Sequence, residues 1–543
     1  MTGAADLVIT NADIHTMDAF NTHGEAIAIK NGRVLAVGRE DDISNLAGAT
    51  TKHMNAGGRV LLPGFQDTHI HLAEGGLALH TGADLAGVRT LENLQELVRK
   101  QAAETPDKLW VQGFCWNPGV FLVADMNRHL IDAAVSDRPV YLMAMDGHNA
   151  VVNTRALQEL NITADTPNPP NGEIVRDEAG DPTGMFFEDA IFWAYGQLPK
   201  ATQEEWFEGT KIATRLANKH GLTGILDAMS GESIIKTYTG LDNAGELTVR
   251  VAATSKINPE DSVKDALGRL NFLRETYRSE KVYMHSAKFF LDGVMDNNTA
   301  AMLEDFATGG NAPIMFDEDH LQKLMIAFDA ERYQLHLHTI GDRAVRVALD
   351  GIEAARKANG PWPALHQLAH IDSIHDNEIP RFAELGVVAN FQPYWACLAD
   401  SLPYAIKLVG EERSKNIFAL KSILETGAPY AISSDWSVTT LNPFEIMAVA
   451  VSRQSPFEDF KGPVFNAEQC ISIEDVVRGY TLNAAAAAWR SDTTGSLTTG
   501  SFADLILLDR DIFKSTPQEI SGTQVDLTML GGEAVYRSDQ FNG

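Results

Sequence analysis

The stretch Pro63–His71 reads PGFQDTHIH and follows the short run Arg59–Leu62, which indicates a buried strand. Side chains two residues apart on a strand point to the same face, so Asp67, His69 and His71 share one face at the strand's C-terminal end. Two imidazoles and a carboxylate suit a borderline divalent metal such as zinc. The stretch therefore predicts a metal site; the alternative is two histidines that merely sit near a strand end.

Working outward, apolar runs alternate with helical patterns over the middle of the chain. Strands that alternate with helices imply a parallel sheet with right-handed crossovers. With the strand at His69 the runs number eight, which is the count that closes a (β/α)8 TIM-like barrel in the α/β class. The other seven predicted strands are Leu222–Asp227, Thr248–Ala253, Ser286–Leu291, Tyr333–His338, Gln367–Ile371, Val387–Phe391 and Tyr430–Ser433.

Both ends of the chain read as short strands instead. Asn31-Gly32 lies between two apolar runs and is a strong hairpin signal, and Ala503–Leu508 and Ala534–Tyr536 read as strands near the C-terminus. Neither end has enough strands for a core of its own. We therefore predict one small β-sandwich built from both termini, residues 1–62 plus 482–543.

The interval 63–481 is assigned to the barrel, and it is much longer than the about 250 residues of a plain barrel. The excess predicts a large insertion after the first strand, at about residues 73–200. Because this insertion begins beside His71, we expect it to roof the active site. A domain that covers apolar barrel surface or makes an oligomer contact is the alternative.

Composition limits the partners of this chain of 543 residues. Its 44 basic and 73 acidic residues give a net charge of −29, which argues against nucleic acid and anionic membrane as partners. No signal peptide or bilayer-spanning run is read. The cysteines Cys115, Cys397 and Cys470 form no CxxC pair, which favours a reducing cytoplasm. We expect a small-molecule substrate and leave a homodimer open.

Barrel enzymes place their chemistry at the C-terminal ends of the strands. After His69 and His71, these ends carry Lys288 on strand four and His338 on strand five. His370 ends strand six, and Asp435 follows strand eight. A carboxylate beside an activated water can take its proton and deliver it to the leaving group, so Asp435 is a candidate base; the alternative is a helix N-cap.

Lys288 lies between apolar residues, where burial lowers the pKa of an amine and favours its neutral form. A neutral lysine can react with carbon dioxide to give a carbamate that bridges two metals. The alternative is an ion pair with Asp292, which shares its strand face. Each of the two later sites has a second histidine nearby, and His338 and His370 are preferred over His336 and His366 because they lie nearer the strand ends. The remaining histidines lack such support and are interpreted as structural or surface residues: His15, His23, His53, His80, His129, His220, His285, His320 and His375.

Taken together, PGFQDTHIH, a strand-four lysine followed by FFLDG, HLHTIGDRAV, LAHID and SSDWSV resemble the metal-dependent amidohydrolase superfamily. The segment 495–505 also matches, with Ser501 where many members have lysine. VQG at 111–113, DGHN at 146–149, and DG at 292–293 with TAAM at 299–302 narrow the resemblance to the amidohydrolase 3 branch that contains N-substituted formamide deformylases.

The resemblance implies one or two Zn2+ or similar divalent ions held by His69, His71, His338, His370 and a carboxylated Lys288. It implies catalytic roles for Asp435, which is also expected as a metal ligand, and for His338. The residues after Asp292-Gly293 depart from the family pattern, which usually has small residues and an arginine there. Candidate substrate contacts are Trp116, Asn117, His148, Asn149, Asp292, Asn297, Gln392, Trp395 and Trp436.

Three functions follow from this interpretation. The first is hydrolysis of a non-peptide amide, such as an N-substituted formamide or another small N-acyl compound with an apolar or aromatic amine portion. The second is a mononuclear cyclic-amidine deaminase, but the glutamate that members with this chemistry carry three residues after the strand-five histidine is Gly341 here. The third is a metal-binding regulatory protein without turnover, against which the complete ligand set argues.

Overall fold

A computed structural model describes residues 3–121, 125–145, 147–399 and 402–541. The described strands form three sheets: a parallel barrel sheet, a sheet formed by the insertion and a sheet that draws on both ends of the chain. No helix in this part of the chain combines the length and the apolar character that crossing a bilayer needs.

The barrel sheet has eight strands in chain order, and each hydrogen-bonds in parallel to the next. Beyond the first and eighth strands, Asp435 N donates to His69 O at 2.8 Å and His71 N donates to Trp436 O at 2.6 Å, which brings the two edges together. The TIM-like barrel prediction is confirmed. The strands are Phe65–Ile70, Leu222–Asp227, Arg250–Lys256, Val282–Phe290, Gln334–Thr339, Gln367–His370, Val388–Phe391 and Tyr430–Ile432.

Helices surround this sheet because each carries an apolar face toward it. Helix Gln203–Lys219 shows the pattern: Thr202 and Glu205 form a capping box at its start, and Ala213 and Ala217 are buried. The other α-helices of the barrel region are Leu72–Thr81, Glu232–Asn243, Val263–Thr276, Glu318–Ala330, Asp342–Asn359, Ile379–Leu385, Leu402–Val409, Leu420–Leu424, Pro443–Ser452, Ile473–Tyr480 and Leu482–Ala487. Its 3-10 helices are Asp376–Glu378, Pro393–Trp395, Arg413–Asn416, Pro456–Glu458 and Ala467–Gln469.

The segment between the first two barrel strands forms a six-stranded sheet with its own buried core. Its strands, in sheet order, are Gly172–Arg176, Pro182–Glu188, Asn149–Val152, Val140–Ala144, Val111–Trp116 and Ala83–Asp84. Its helices are Leu91–Glu104, Arg128–Asp132, Thr154–Glu159 and Asp189–Tyr195. The chain enters this segment through helix Leu72–Thr81, which starts directly after His71.

Strands from both termini share the third sheet, because Leu505–Leu508 pairs antiparallel with Lys52–Pro63. Its composite origin matches the sequence interpretation, whereas its division into the two layers of a sandwich stays a prediction. The strands are Glu533–Arg537, Val525–Leu530, Leu505–Leu508, Lys52–Pro63, Leu7–His15, Ala26–Lys30 and Arg33–Gly38 in sheet order, with His23–Gly24 on Leu7–His15. The helices here are Glu40–Ser44 and Pro517–Ser521, with a 3-10 turn at Ile512–Lys514.

The terminal regions contact the barrel at several points. Arg250, at the start of the third barrel strand, forms a buried two-point ion pair with Asp504 at 2.7 and 3.1 Å. Ala487, which ends helix Leu482–Ala487, accepts a hydrogen bond from Gln334 Nε2 at 2.8 Å. That helix therefore packs on the barrel, although the proposed division at residue 482 assigns it to the terminal domain.

Candidate metal centre and active site

Three side chains meet where the first and eighth barrel strands end. Asp435 Oδ1 lies 3.5 Å from His69 Nε2 and 3.3 Å from His71 Nε2. One ligand atom from each of these residues lies within 4.8 Å of the other two. His370 Nδ1 lies 4.0 Å from Asp435 Oδ2. The strand ends therefore bring two histidines and a carboxylate to one point, with a third histidine beside them.

Backbone geometry helps aim two of these side chains. His370 and Asp435 both adopt positive φ, at 77° and 58°, in the left-handed region that non-glycine residues rarely occupy. Asp67 links the ends of the first and eighth strands. Its carboxylate accepts hydrogen bonds from the backbone nitrogens of His69 and Ser434, both at 3.1 Å. Burial raises the pKa of Asp67 to about 7. Asp67 therefore fastens the two strand ends together.

Lys288 is fully buried on the fourth strand, and its Nζ lies 3.3 Å from His69 Nε2. Burial lowers the pKa of Lys288 to about 7, although Asp435 opposes this shift. Among the residues that the structure describes, Lys288 and Asp292 do not approach within ion-pair distance. The structure thus places the lysine at the metal-type cluster and not in the alternative pair with Asp292.

The two histidines of the fifth strand have different surroundings. His336 Nε2 lies 2.8 Å from His69 Nδ1, so His336 supports His69 from lower in the barrel and leaves Nε2 of His69 facing the cluster. The His338 ring lies 4.5 Å from that of His370. On the sixth strand, His366 is held by Asp329 at 3.0 Å. The histidine nearer the strand end therefore lies at the cluster in both pairs.

Asp292 is not placed to contact a substrate, which corrects the prediction for this residue. It is fully buried, and its carboxylate accepts from the backbone nitrogens of Ala301, Ile340 and Gly341 at 3.0, 3.0 and 2.8 Å. Its Oδ1 also lies 3.5 Å from His338 Nδ1. Asp292 therefore orients His338 and ties together the loops that follow strands four and five.

Four more predicted substrate contacts are buried, and their side chains pack or form hydrogen bonds within the protein. Trp116 lies in the insertion core and donates to Leu142 O at 3.1 Å. Asn149 is buried in a central strand of the insertion sheet, opposite Phe187. Gln392 Nε2 donates to Ser433 Oγ at 2.7 Å inside the barrel wall. Trp436 is buried against Gly75, where an added Cβ would lie 2.6 Å from the indole ring. Sequence alone could not distinguish a buried aromatic or amide side chain from a pocket residue.

A hydrogen-bonded group joins the insertion to the barrel beside His338. Glu188 Oε2 accepts from His148 Nδ1 at 2.7 Å, and its Oε1 accepts from Thr299 Oγ1 at 2.9 Å and from Asn297 Nδ2 at 3.3 Å. The His148 ring lies 6.4 Å from that of His338. These contacts, together with His148, hold the Glu188 carboxylate ionised and keep its pKa below the usual range, against the effect of burial.

Sequence reasoning missed Glu188, because no motif pairs it with the strand-four loop. Its one local signal, a positive φ of 52°, is visible only in the structure. Of the remaining candidates, Trp395 is half-buried with its ring 6.3 Å from that of His370. Asn117 is half-buried and accepts from Gly119 N at 2.7 Å. Asp146, which belongs to the DGHN motif, lies outside the described residues.

The donor set fits a divalent cation on structural grounds. His370 Nδ1 is buried and has no hydrogen-bond partner among the described residues, and Asp435 Oδ1 is contacted by the Nε2 atoms of His69 and His71. Burial, and then Lys288, hold the pKa of His69 well below its usual range, so this imidazole is neutral as a metal ligand must be. Although burial opposes it, hydrogen bonds to Asp435 and Glu74 raise the pKa of His71 to about 10. The cluster therefore attracts positive charge: His69 is neutral, and the proton that His71 carries without a metal is one that a bound cation would replace.

Comparison with known proteins gives consistent results. A profile described as the amidohydrolase family matches residues 52–536. The chain is 28% identical to Protein LONG AFTER FAR-RED 3 of Arabidopsis thaliana, over 98% of this chain and 92% of that one. It is 26% identical to N-substituted formamide deformylase of Arthrobacter pascens, over 99% of each chain.

Among solved structures, an uncharacterized metal-dependent hydrolase from Pyrococcus furiosus superimposes with a TM-score of 0.73 at 25% identity. The match covers 94% of this chain and 100% of that one. The similarity spans the barrel, the insertion and the terminal strands together.

Proposed function

Because the chain belongs to the amidohydrolase family, we propose that it cleaves the C–N bond of a non-peptide amide, with an N-substituted formamide or a similar small N-acyl compound as substrate. Membership makes it a metal-dependent hydrolase that acts on carbon–nitrogen bonds. The observation that carries the finer proposal is the convergence of His69, His71 and Asp435, with ligand atoms within 4.8 Å of one another, at the C-terminal mouth of the barrel.

His69, His71, His338 and His370 would hold one or two zinc-like ions, with Lys288 as a further ligand when carboxylated. A divalent ion bound there supplies Lewis-acid chemistry, polarising the acyl carbonyl and lowering the pKa of water. Two of these ligands are oriented by neighbouring side chains. His336 contacts Nδ1 of His69 at 2.8 Å, and Asp292 contacts Nδ1 of His338 at 3.5 Å. The Nε2 atoms of both ligands then remain for the cation.

Lys288 would form the carbamate by attack of its neutral amine on carbon dioxide: the Nζ–C bond forms and one proton leaves the nitrogen. Its full burial favours the neutral amine, and this supports the reaction. The Nζ atom lies 3.3 Å from His69 Nε2, which supports Lys288 as a ligand alongside this histidine.

Asp435 would act as the general base and acid. A carboxylate oxygen takes a proton from the attacking water and then delivers it to the amine nitrogen as the C–N bond breaks. Its Oδ1 lies 3.5 Å from His69 Nε2 and 3.3 Å from His71 Nε2, and this closeness to two proposed metal ligands supports the role. His338, whose ring lies over Phe290 at 5.2 Å, would orient the acyl oxygen.

The insertion would roof this site through His148, which Glu188 holds beside His338, and Glu188 also binds Asn297 of the loop after strand four. Trp395 and Asn117 are the other half-buried candidates for substrate contact. Near the mouth, Lys256 Nζ lies 5.7 Å from the Phe192 ring of helix Asp189–Tyr195 and 5.3 Å from the Phe290 ring. Aromatic side chains at the entrance fit an apolar or aromatic amine portion.

The cyclic-amidine deaminase is disfavoured on physical grounds. A Cβ at Gly341 would lie 2.0 Å from Ala301 O, so the backbone leaves no room for the glutamate that this chemistry uses. A regulatory protein without turnover is the other alternative. It is less well supported, because a protein without turnover does not need a buried carboxylate and a buried lysine beside the clustered histidines.

The test is hydrolysis of a panel of N-substituted formamides and acetamides by purified protein before and after chelation. We expect turnover with metal, loss after chelation and recovery on adding Zn2+. Asp435→Asn should lower kcat by about 10²- to 10⁴-fold, the usual contribution of a general acid–base group. Amine release that is identical in the wild type and Asp435→Asn, or absent for every amide in metal-loaded enzyme, would contradict the proposal.

A further inference from the structure

A second group of metal-binding side chains lies on the terminal sheet, outside the barrel. Asp13 and His15 are two residues apart on strand Leu7–His15 and share its face. His23 lies directly opposite His15, in the antiparallel pairing with His23–Gly24. One ligand atom from each of Asp13, His15 and His23 lies within 4.8 Å of the other two. Strand register alone therefore brings two imidazoles and a carboxylate together.

The connecting loop holds this arrangement without help from an ion. Thr16 donates to Thr22 O from its backbone nitrogen at 3.0 Å and from its hydroxyl at 2.9 Å. Within the loop, Asp18 Oδ1 accepts from the backbone nitrogens of Phe20 and Thr22 at 3.0 and 2.9 Å. Because the loop is already ordered, a ligand that binds to His23 and His15 together has little conformational entropy to remove.

His15 is the most firmly fixed of the three residues. Its side chain is 12% exposed, and its ring stacks on Phe513 at 4.2 Å with an interplanar angle of 14°. Phe513 in turn packs against the main core of the barrel. The result is a rigid imidazole, held in place beside Asp13 and His23 before any ion binds.

We propose that Asp13, His15 and His23 bind a zinc-like divalent cation on the surface of the terminal sheet. Two imidazoles and one carboxylate favour Zn2+ and similar borderline ions over Ca2+ and Mg2+, which prefer sets of oxygen ligands. Three protein ligands leave the fourth tetrahedral position to water, and the 46% exposed Asp13 side chain lies open to solvent. The bound ion joins the end of strand Leu7–His15 to its return strand, so it stabilises the folded chain by mass action.

The test is equilibrium dialysis of the metal-loaded enzyme against increasing free Zn2+, followed by metal analysis. Wild type is expected to bind one ion per chain more than His23→Ala, and Asp13→Asn is expected to bind this ion more weakly. The loss of affinity in His23→Ala should exceed the about 10- to 100-fold that loss of a supporting residue around a metal costs. His23 is exposed, so the variant should fold, and its amide hydrolysis should match that of wild type.

His53→Ala is the matched control, because His53 is an exposed histidine on strand Lys52–Pro63 of the same sheet. It should bind as many ions as wild type, with the same affinity. The proposal is overturned if His23→Ala binds as many ions as wild type with the same affinity. It is equally overturned if His53→Ala and His23→Ala lose the same amount of zinc, since binding would then follow the number of surface histidines.

Discussion

At the scale of single residues, Lys288 is the side chain whose chemistry depends most on its surroundings. It is fully buried, and its Nζ lies 3.3 Å from His69 Nε2. If carbon dioxide converts it to a carbamate ligand, Lys288→Ala should lose bound metal and activity. A small carboxylic acid in the buffer should restore part of the activity by replacing the carbamate oxygens.

Metal analysis and amide hydrolysis of this variant, each with and without the added acid, check the prediction. A Lys288→Ala protein that keeps its full metal content and loses only stability would indicate a structural lysine. Lys264→Ala serves as the control, because Lys264 is an exposed residue on helix Val263–Thr276 and should behave as wild type.

At the scale of elements, the helix that leaves the metal centre is held by a close contact between glycines. A Cβ at Gly76 of helix Leu72–Thr81 would lie 2.3 Å from the backbone oxygen of Gly209 in helix Gln203–Lys219. Gly76→Ala must therefore push the two helices apart, which should cost about 1–3 kcal/mol of stability, as overpacking commonly does. Because this helix begins directly after His71, metal affinity should also fall.

Denaturant unfolding and metal titration of Gly76→Ala measure both effects. Gly268→Ala is the matched control, since an added Cβ there meets nothing within 4 Å in helix Val263–Thr276. Removing backbone freedom in an unstrained helix should stabilise that variant by about 0.5–1 kcal/mol. Equal stability and metal affinity in Gly76→Ala and wild type would show that the helices separate without cost.

A second element, the insertion sheet, contacts the mouth of the barrel through His148. If the insertion roofs the pocket, His148→Ala should change kcat/KM between amides by about 10- to 200-fold, equivalent to about 1–3 kcal/mol. Metal content should stay intact, because the His148 ring is 6.4 Å from the His338 ring and is not part of the ligand cluster.

Steady-state kinetics on several amides tests the roof, with His129→Ala as the control. His129 lies on the outer surface of the insertion, with its side chain 73% exposed. Unchanged kinetics for His148→Ala on every amide would place the insertion away from the substrate. Trp116→Ala would report on stability instead, because Trp116 fills the insertion core.

At the scale of the whole molecule, one buried ion pair joins the terminal sheet to the barrel. Arg250 and Asp504 are each 5% exposed, and Asp504 Oδ1 also accepts from Gly531 N at 2.7 Å. Asp504→Ala leaves the arginine charge buried without its partner, so it should cost about 3–5 kcal/mol. Chemical denaturation measures this loss.

The exposed pair Lys415–Glu412 supplies the comparison, with side chains 64% and 89% exposed. Glu412→Ala should change stability by at most about 1 kcal/mol, because water screens a surface pair. If both variants lose the same small amount, the terminal sheet and the barrel are not coupled through Arg250.

Sequence by itself determined the barrel and the residues at its mouth. Seven predicted strands overlap observed barrel strands, because alternation of apolar runs and helical patterns is a local property of the chain. The strand at His69 is Phe65–Ile70, whereas the apolar run Arg59–Leu62 before it belongs to strand Lys52–Pro63 of the terminal sheet. His69, His71, Lys288, His338 and His370 were identifiable because side-chain direction on a strand alternates with a fixed period, and the C-terminal end of each strand is known from the chain direction.

Only the tertiary structure decided which of the other polar and aromatic residues lie near the site. Trp116 and Gln392 are buried within the protein, and Asp292 accepts hydrogen bonds from backbone amides. Glu188 accepts a hydrogen bond from Thr299, in a barrel loop more than a hundred residues away in sequence. His15 and His23 read as isolated histidines until strand pairing set them side by side. Such contacts depend on how elements distant in sequence pack together, and no local period in the sequence encodes that packing.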